Sequence, residues 1–245
     1  MQAACDGSPP RIRDGDIEVE AGGERLVLLP EKAALVPRTG TLLVADVHLG
    51  KAATFRARGV PVPRGTTTAT LERLDAVLAR LPVARVVFLG DLLHGPDARA
   101  ATTMAAVCAW RAVHPQIELL LVRGNHDRHA GDPPATLRIR SVPEPWVEGG
   151  LALCHTPVPR EDGFVVAGHV HPAFVLRGRG RQRARLPCFS IGPRVAVLPA
   201  FGAFTGMADI TPGPGERIYV VADDCVVPVP VTSPACAGAR GGRGS

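Results

Sequence analysis

The sequence predicts an α/β fold in which β-sheets stack on one another with helices outside. Three observations predict it. In the first half, short apolar runs rich in Val, Leu and Ile alternate with stretches of helical periodicity. The second half is mostly short strand-like runs. Five apolar runs each end in a polar cluster: Asp46-Val47-His48, Gly90-Asp91, Gly124-Asn125-His126-Asp127, Cys154-His155 and Gly168-His169-Val170-His171.

The elements follow in order. Ile17–Glu20 and Arg25–Leu29 flank a Gly-containing turn and predict a hairpin, with Ala33–Val36 as a third strand. Thr41–Ala45 is a buried strand. After Gly65, three threonines offer an N-cap. Leu71, Leu74, Val77, Leu78 and Leu81 then share one helical face, which Pro82 ends. Val86–Leu89 and Ile117–Val122 are further buried strands. They bracket an Ala-rich helix from Ala98 to Val113 with Met104, Val107, Cys108 and Arg111 on one side. Residues 130–150 carry four prolines and predict a loop-rich connection. Leu151–Leu153, Phe164–Ala167, Phe174–Leu176, Leu186–Ser190, Val195–Leu198 and Arg217–Val221 predict the later strands. The spacing predicts one domain over residues 17–230, a loose segment over 1–16, and a disordered Gly/Ala/Arg/Ser tail over 233–245.

Composition narrows the class. The formal charge of +5 and pI near 9.2 favour an anionic partner. Yet only Lys32 and Lys51 are lysines, and an Arg, Ala, Gly and Pro excess is also what a GC-rich coding bias produces. The six cysteines form no C-x-x-C pair and no signal peptide precedes them. A disulfide framework is therefore not expected, and a reduced, cytoplasmic setting is. Cys154 stands beside a candidate ligand, but as a small apolar residue at a strand end it suits the core better. No apolar stretch approaches the ~20 residues of a membrane-spanning helix, so no membrane partner is expected.

The polar clusters carry the chemistry. Asp, Asn and His are ligands that borderline divalent metals accept, and they are numerous enough for two adjacent ions, a pair suited to phosphate-ester hydrolysis. Asp46, Asp91 and Asn125 each follow a buried strand, and ligands bind at that edge of open α/β sheets. The glycines before Asp91, Asn125 and His169 allow a sharp backbone turn. A strand, a Gly and a polar residue also describe ordinary turns. It is the five clusters together that exceed that reading.

The pattern D-x-H, G-D, G-N-H-[DE], H, G-H-x-H resembles the calcineurin-like metallophosphoesterase superfamily. Leu42–Arg80, Arg85–His94, Leu121–Gly131, Phe164–Pro172 and Leu186–Gly206 are similar to the ligase-associated DNA damage response endonucleases, a bacterial branch of it. The resemblance implies a four-layer α/β/β/α sandwich of two mixed sheets flanked by helices. It implies that Asp46, His48 and His171 hold one metal, that Asn125, His155 and His169 hold the second, and that Asp91 bridges both. Cys154 departs from the Gly common before the fourth-cluster histidine. By the same resemblance His126 faces the substrate, stabilising the phosphorane charge or protonating the leaving group, and Asp127 would orient His126 and raise its basicity. A metal-bound hydroxide would attack phosphorus in line. Mixed N/O ligands suit Mn, Fe or Zn, and the resemblance implies Mn. The implied substrate is DNA, cut by an endonuclease in repair, with a DNA ligase, helicase or exonuclease as possible partners. A phosphoesterase for small nucleotides is the first alternative, and a non-catalytic binding module the second.

Other residues have two readings each. His94 and Arg123 are candidate phosphate contacts, with an exposed loop residue as the alternative. Arg177, Arg179, Arg181, Arg183 and Arg185 either share one face of a long strand or flank a hairpin turned at Gly178-Arg179-Gly180. Lys51, Arg56, Arg58 and Arg64 line a groove or a solvated loop. Phe201 and Phe204 pack in the core or stack a base. His114 and His129 are expected to be structural or solvated.

Overall fold

The structure is a computed structural model and describes residues 12–63 and 65–230. Two mixed sheets lie face to face. In the first, β1 (Ile17–Ala21), β2 (Glu24–Leu29), β3 (Ala33–Val36) and β4 (Thr41–Val44) pair antiparallel in chain order. Then β5 (Arg85–Leu89), β6 (Glu118–Val122) and β7 (Ile139–Val142) add parallel to β4. The helices sit in the crossovers: α1 (Lys51–Ala57) and α2 (Thr66–Arg80) before β5, α3 (Ala101–Val113) before β6 and α4 (Asn125–Ala130) before β7. Successive parallel strands with same-handed crossovers place these helices on one face.

The second sheet has nine strands. Its centre is the parallel set β9 (Leu151–Leu153), β10 (Phe164–Ala167) and β13 (Val195–Val197), edged by β8 (Trp146–Glu148). The long β12 (Arg183–Ile191) pairs with β13, with β11 (Pro172–Arg177) and with β15 (Arg217–Ala222). β14 (Ala208–Asp209) and β16 (Cys225–Val229) complete it.

Period-2 alternation along the strands builds two cores. One face of the first sheet (Leu42, Val44, Val86, Phe88, Leu119, Leu121) packs on Leu71, Leu74 and Val77 of α2 and Val107 and Trp110 of α3. The other (Leu43, Val87, Leu89, Leu120, Val122) packs on Leu151, Leu153, Val166, Phe189 and Leu198 of the second sheet. The expected sandwich of two mixed sheets flanked by helices is thus the architecture found. Among the described residues, all four α-helices lie in the half of the chain that builds the first sheet. The outer face of the second sheet is covered by its own curled β11–β12 hairpin, which shelters Cys188, Ile218 and Val220.

Several local expectations change. The helix cap is Gly65 at φ 83°, and Thr66, Thr67 and Thr68 form the first turn instead of capping it. Cys108 faces solvent, and it is Trp110 and Arg111 that bury with Val107. The Pro-rich 130–150 stretch contains two short strands, β7 between Pro134 and Pro143 and β8 directly after Pro145. Residues 13–16, expected to be loose, are tethered. The Asp16 side chain is fully buried against Arg80 at 2.8 Å, and Arg13 reaches Glu31 at 3.0 Å. The alternate arginines flank a hairpin, with Arg177 opposite Arg183, and both Arg183 and Arg185 turn to Asp209. Phe201 is core. The expected disordered tail, and Arg64, lie outside the described residues.

Candidate metal centre

The parallel strands of both sheets end at one edge, and the polar clusters sit there. Beyond β4 and β5 the two loops stay knitted: the His48 N–H donates to the Asp91 carbonyl at 2.9 Å and the Leu49 N–H to that of Leu92 at 2.8 Å. Five candidate ligands adopt the left-handed backbone region: Asp46 (φ 52°), His48 (48°), Asp91 (51°), His169 (72°) and His171 (53°). Each such residue costs about 1 kcal/mol or more and persists because the surroundings enforce it. Two of the three glycines before the candidate ligands have a different use from the expected one. Gly90 alone of the three has positive φ, at 79°. Gly124 and Gly168 have ordinary backbones, but a Cβ would lie 2.4 Å from Asp91 Oδ1 and 2.5 Å from Asp46 Oδ2 respectively. These glycines admit the ligands. Gly124→Ala therefore needs no unusual φ at residue 124 yet must displace Asp91, whose backbone nitrogen lies 2.7 Å from the added Cβ. We expect it to weaken metal binding by roughly 10- to 100-fold with the fold intact, as titration calorimetry and circular dichroism would show.

The clusters converge. Ligand atoms of Asp46, His48 and His171 lie within 4.8 Å of one another, as do those of Asp91, His155 and His169. Asn125 Oδ1 is 2.8 Å from His155 Nε2, and His169 Nδ1 is 2.9 Å from the same nitrogen. Asp91 lies between the groups, with Oδ2 3.9 Å from His48 Nε2 and Oδ1 3.5 Å from His155 Nε2. Its place is that of a shared ligand.

Two observations test whether this set suits cations. First, the imidazoles are turned lone pair inward. Nδ1–H of His155 donates to the Leu89 carbonyl at 3.0 Å, and Nδ1–H of His171 to that of Gly206 at 3.1 Å, which leaves both Nε2 atoms as bases. His48 and His171 Nε2 then face each other at 3.3 Å. Second, Asp46 Oδ1 is buried with no hydrogen-bond partner, while Oδ2 accepts the His169 N–H at 2.8 Å. The Asn125 oxygen set 2.8 Å from the lone-pair nitrogen of His155 and the orphaned carboxylate oxygen of Asp46 are unfavourable alone, and a cation beside each removes the penalty. The residues fit divalent metals.

Burial holds His48 neutral, its pKa pushed down to about 2 with Lys51, His171 and the other histidines adding to the effect. The sign follows. The unfolded chain protonates near pH 6.5, whereas the folded one resists. In metal-free protein, stability is full above pH 6.5 and falls with falling pH by up to about 1.4 kcal/mol per unit. Urea midpoints of chelator-treated protein at pH 7.5 and 5 check this, and equal midpoints would contradict it.

Asp127 does not touch His126. Its buried carboxylate accepts the N–H groups of Asp91 (2.7 Å), Leu92 (3.0 Å), Leu93 (3.2 Å) and Gly124 (3.0 Å). Burial raises its pKa, opposed by these bonds. At the third position of α4 it caps that helix and fastens the Asp91 loop to it. His126 is oriented instead by the His94 carbonyl, which accepts its Nδ1–H at 3.0 Å. Its ring stacks on His94 at 4.9 Å. Arg123 pairs bidentately with Asp132 at 2.8 and 2.9 Å, an exposed ion pair. Sequence reasoning missed Glu144. It accepts the N–H groups of His155 and Thr156 at 2.8 and 3.1 Å and fixes that loop. Lys51 opens α1, half-buried; burial lowers its pKa, an effect that the charges of Asp46 and Asp91 only partly offset. Cys154 is buried, its thiol pushed up to about 11 by desolvation, and takes no part in the cluster.

Residues 41–186 match the calcineurin-like phosphoesterase family. A crystal structure of Pseudomonas putida nuclease MPE is 48% identical, covering 87% of this chain and 100% of that one, with a TM-score of 0.78. An Aquifex aeolicus protein of unknown function, AQ665, is 16% identical over 58% of this chain and 82% of its own, with a TM-score of 0.36, too low to bear on the fold. No curated protein matches the chain. The ligand cluster, the two-sheet frame that assembles it and the match over residues 41–186 agree: the chain belongs to the calcineurin-like phosphoesterase family.

Proposed function

We propose that the chain is a metal-dependent DNA endonuclease that acts in DNA damage repair, with two divalent cations, Mn among the candidates, held by seven side chains. One observation carries this reading. A complete Asp46, His48, Asp91, Asn125, His155, His169, His171 cluster stands in a chain that spans the whole of a nuclease at 48% identity. Two bound cations supply Lewis-acid activation of a phosphodiester and of the attacking water.

The chain's own groups do the rest. Asp46, His48 and His171 hold one cation, Asn125, His155 and His169 the other, and Asp91 ties the two together. Asp46, His48, Asp91 and His155 are buried, while His169 is exposed and the His126 side chain is 38% exposed, so the substrate approaches from that side. Because His126 Nδ1–H is committed to the His94 carbonyl, Nε2 is the atom that carries the mobile proton. In the imidazolium form it donates to the departing oxygen. His94 is kept neutral, its pKa lowered to about 4 by burial and by Lys51, and serves as a hydrogen-bonding partner for a phosphate oxygen.

Circular single-stranded DNA with Mn tests the reading. Wild type linearises the circle, and Asn125→Ala slows this at least ~100-fold by losing a ligand. Turnover of mononucleotide esters without cleavage of the circle would replace the nuclease reading with that of a small-substrate phosphoesterase.

A further inference from the structure

A cavity of mixed polar and apolar lining adjoins the candidate metal cluster. It encloses about 230 Å³ and shares one wall, His171, with the metal ligands. Lys32 and Thr205 line it too, with Pro172, Pro187 and Met207 and with Ala200, Gly202 and Ala203 of the segment after β13 as the remaining, largely apolar, walls. No carboxylate lines it. That loop is anchored on the same residues that build the site. The Gly202 N–H donates to the Asp46 carbonyl at 3.2 Å, the Ala203 N–H to Thr70 Oγ1 at 3.1 Å, and the Gly206 carbonyl orients His171.

Lys32 is the unusual member. It stands in the β2–β3 turn at φ 67°, half-buried, and makes no ion pair among the described residues. The adjacent Glu31 is taken by Arg13 and Arg80. A like charge acts on it: that of Arg73, whose guanidinium lies over the Phe201 ring at 5.5 Å and donates to the Phe201 carbonyl. Burial and Arg73 together lower the Lys32 pKa to about 8. A desolvated ammonium beside a second cation, in a cavity without a counter-charge, is stabilised by an anion.

We infer that the cavity beside His171 is a subsite for a second phosphate of the substrate strand, held by Lys32 while the scissile phosphate occupies the metal cluster. The inference rests on the nuclease reading and adds to it a reason for preferring a polymer. A single phosphodiester reaches only the metals, whereas a strand that engages both places gains a charge-assisted contact.

Lys32→Gln keeps the stem and removes the charge. Its effect is read on single-stranded DNA and on bis(p-nitrophenyl) phosphate, which carries one phosphate. The ratio of kcat/KM for DNA over that for the small ester should fall about tenfold, chiefly through KM. The slope of log kcat/KM for DNA against log salt should become shallower by about 0.7, the value of one phosphate contact on a single strand. Lys32→Arg should restore most of the ratio. Unchanged ratio and slope with active wild type would overturn the subsite alone. Failure of wild type on DNA with good turnover of the ester would overturn the nuclease reading, and the subsite with it.

Discussion

Asp91→Asn should reduce phosphodiester hydrolysis at least ~10³-fold while leaving the fold intact. The carboxylate lies between the two ligand groups, 3.9 Å from His48 Nε2 and 3.5 Å from His155 Nε2. An amide offers one oxygen where two are needed, and its NH2 turns a donor toward a cation. On the proposed two-cation reading charge also matters, since losing the one negative charge the cations would share would raise their mutual repulsion. A loss of ~10³ corresponds to about 4 kcal/mol of transition-state stabilisation, within what paired metals supply. Oδ1 also accepts the His126 N–H at 2.9 Å, a bond the Asn oxygen can keep, so the loop should hold. Single-turnover hydrolysis with metal titration checks the expectation. Retention of more than a tenth of wild-type activity would show that Asp91 is not shared between metals.

The second large effect is on stability. Asp127→Ala strips the common acceptor from four buried N–H groups, those of Asp91, Leu92, Leu93 and Gly124. Breaking such a buried charged hub costs ~3–5 kcal/mol. For a chain of this size that is a fall in Tm on the order of 10 °C. Asp127→Asn should recover part of it through its one remaining oxygen. Calorimetry on the metal-free variants separates this from the alternative, in which Asp127 merely tunes His126: a shifted pH–rate profile with unchanged Tm would support the latter.

Much of this site is legible in the sequence, and the legible parts share a cause. Asp46, Asp91, Asn125, His155 and His169 each follow a continuous apolar run, and such runs are buried parallel strands whose carboxyl ends meet at one edge. The strands were read within a residue or two wherever β-branched and Leu runs were unbroken, as at Thr41–Val44 and Leu151–Leu153. What was illegible depends on neighbours remote in sequence, or on elements too short to show a period. Helices α1 and α4, of seven and six residues, complete at most two turns, so no apolar face emerges. Asp127 reads as a partner for the adjacent histidine, yet its own helix start and the Asp91 loop together claim it. Arg123 looks available for a phosphate until the fold brings Asp132 beside it. Glu144 lies in a Pro-rich stretch with no motif, and only the fold brings it to the His155 backbone.

Lys32 and Glu144 point the same way. The candidate ligands follow from strand ends, but Glu144, which fixes the His155 loop, and Lys32, which lines the adjoining cavity, come from turns of unrelated segments. Their roles emerge from charge balance: an acid that collects N–H donors, a base with no acid.

Anomalous diffraction at the Mn edge, from crystals grown with Mn, tests the central claim most directly. The account predicts two peaks roughly 4 Å apart on either side of Asp91. One should be bounded by Asp46, His48 and His171, the other by Asn125, His155 and His169. A single peak, or a peak held by His48, His94 and His126 with nothing beside Asn125, would contradict it.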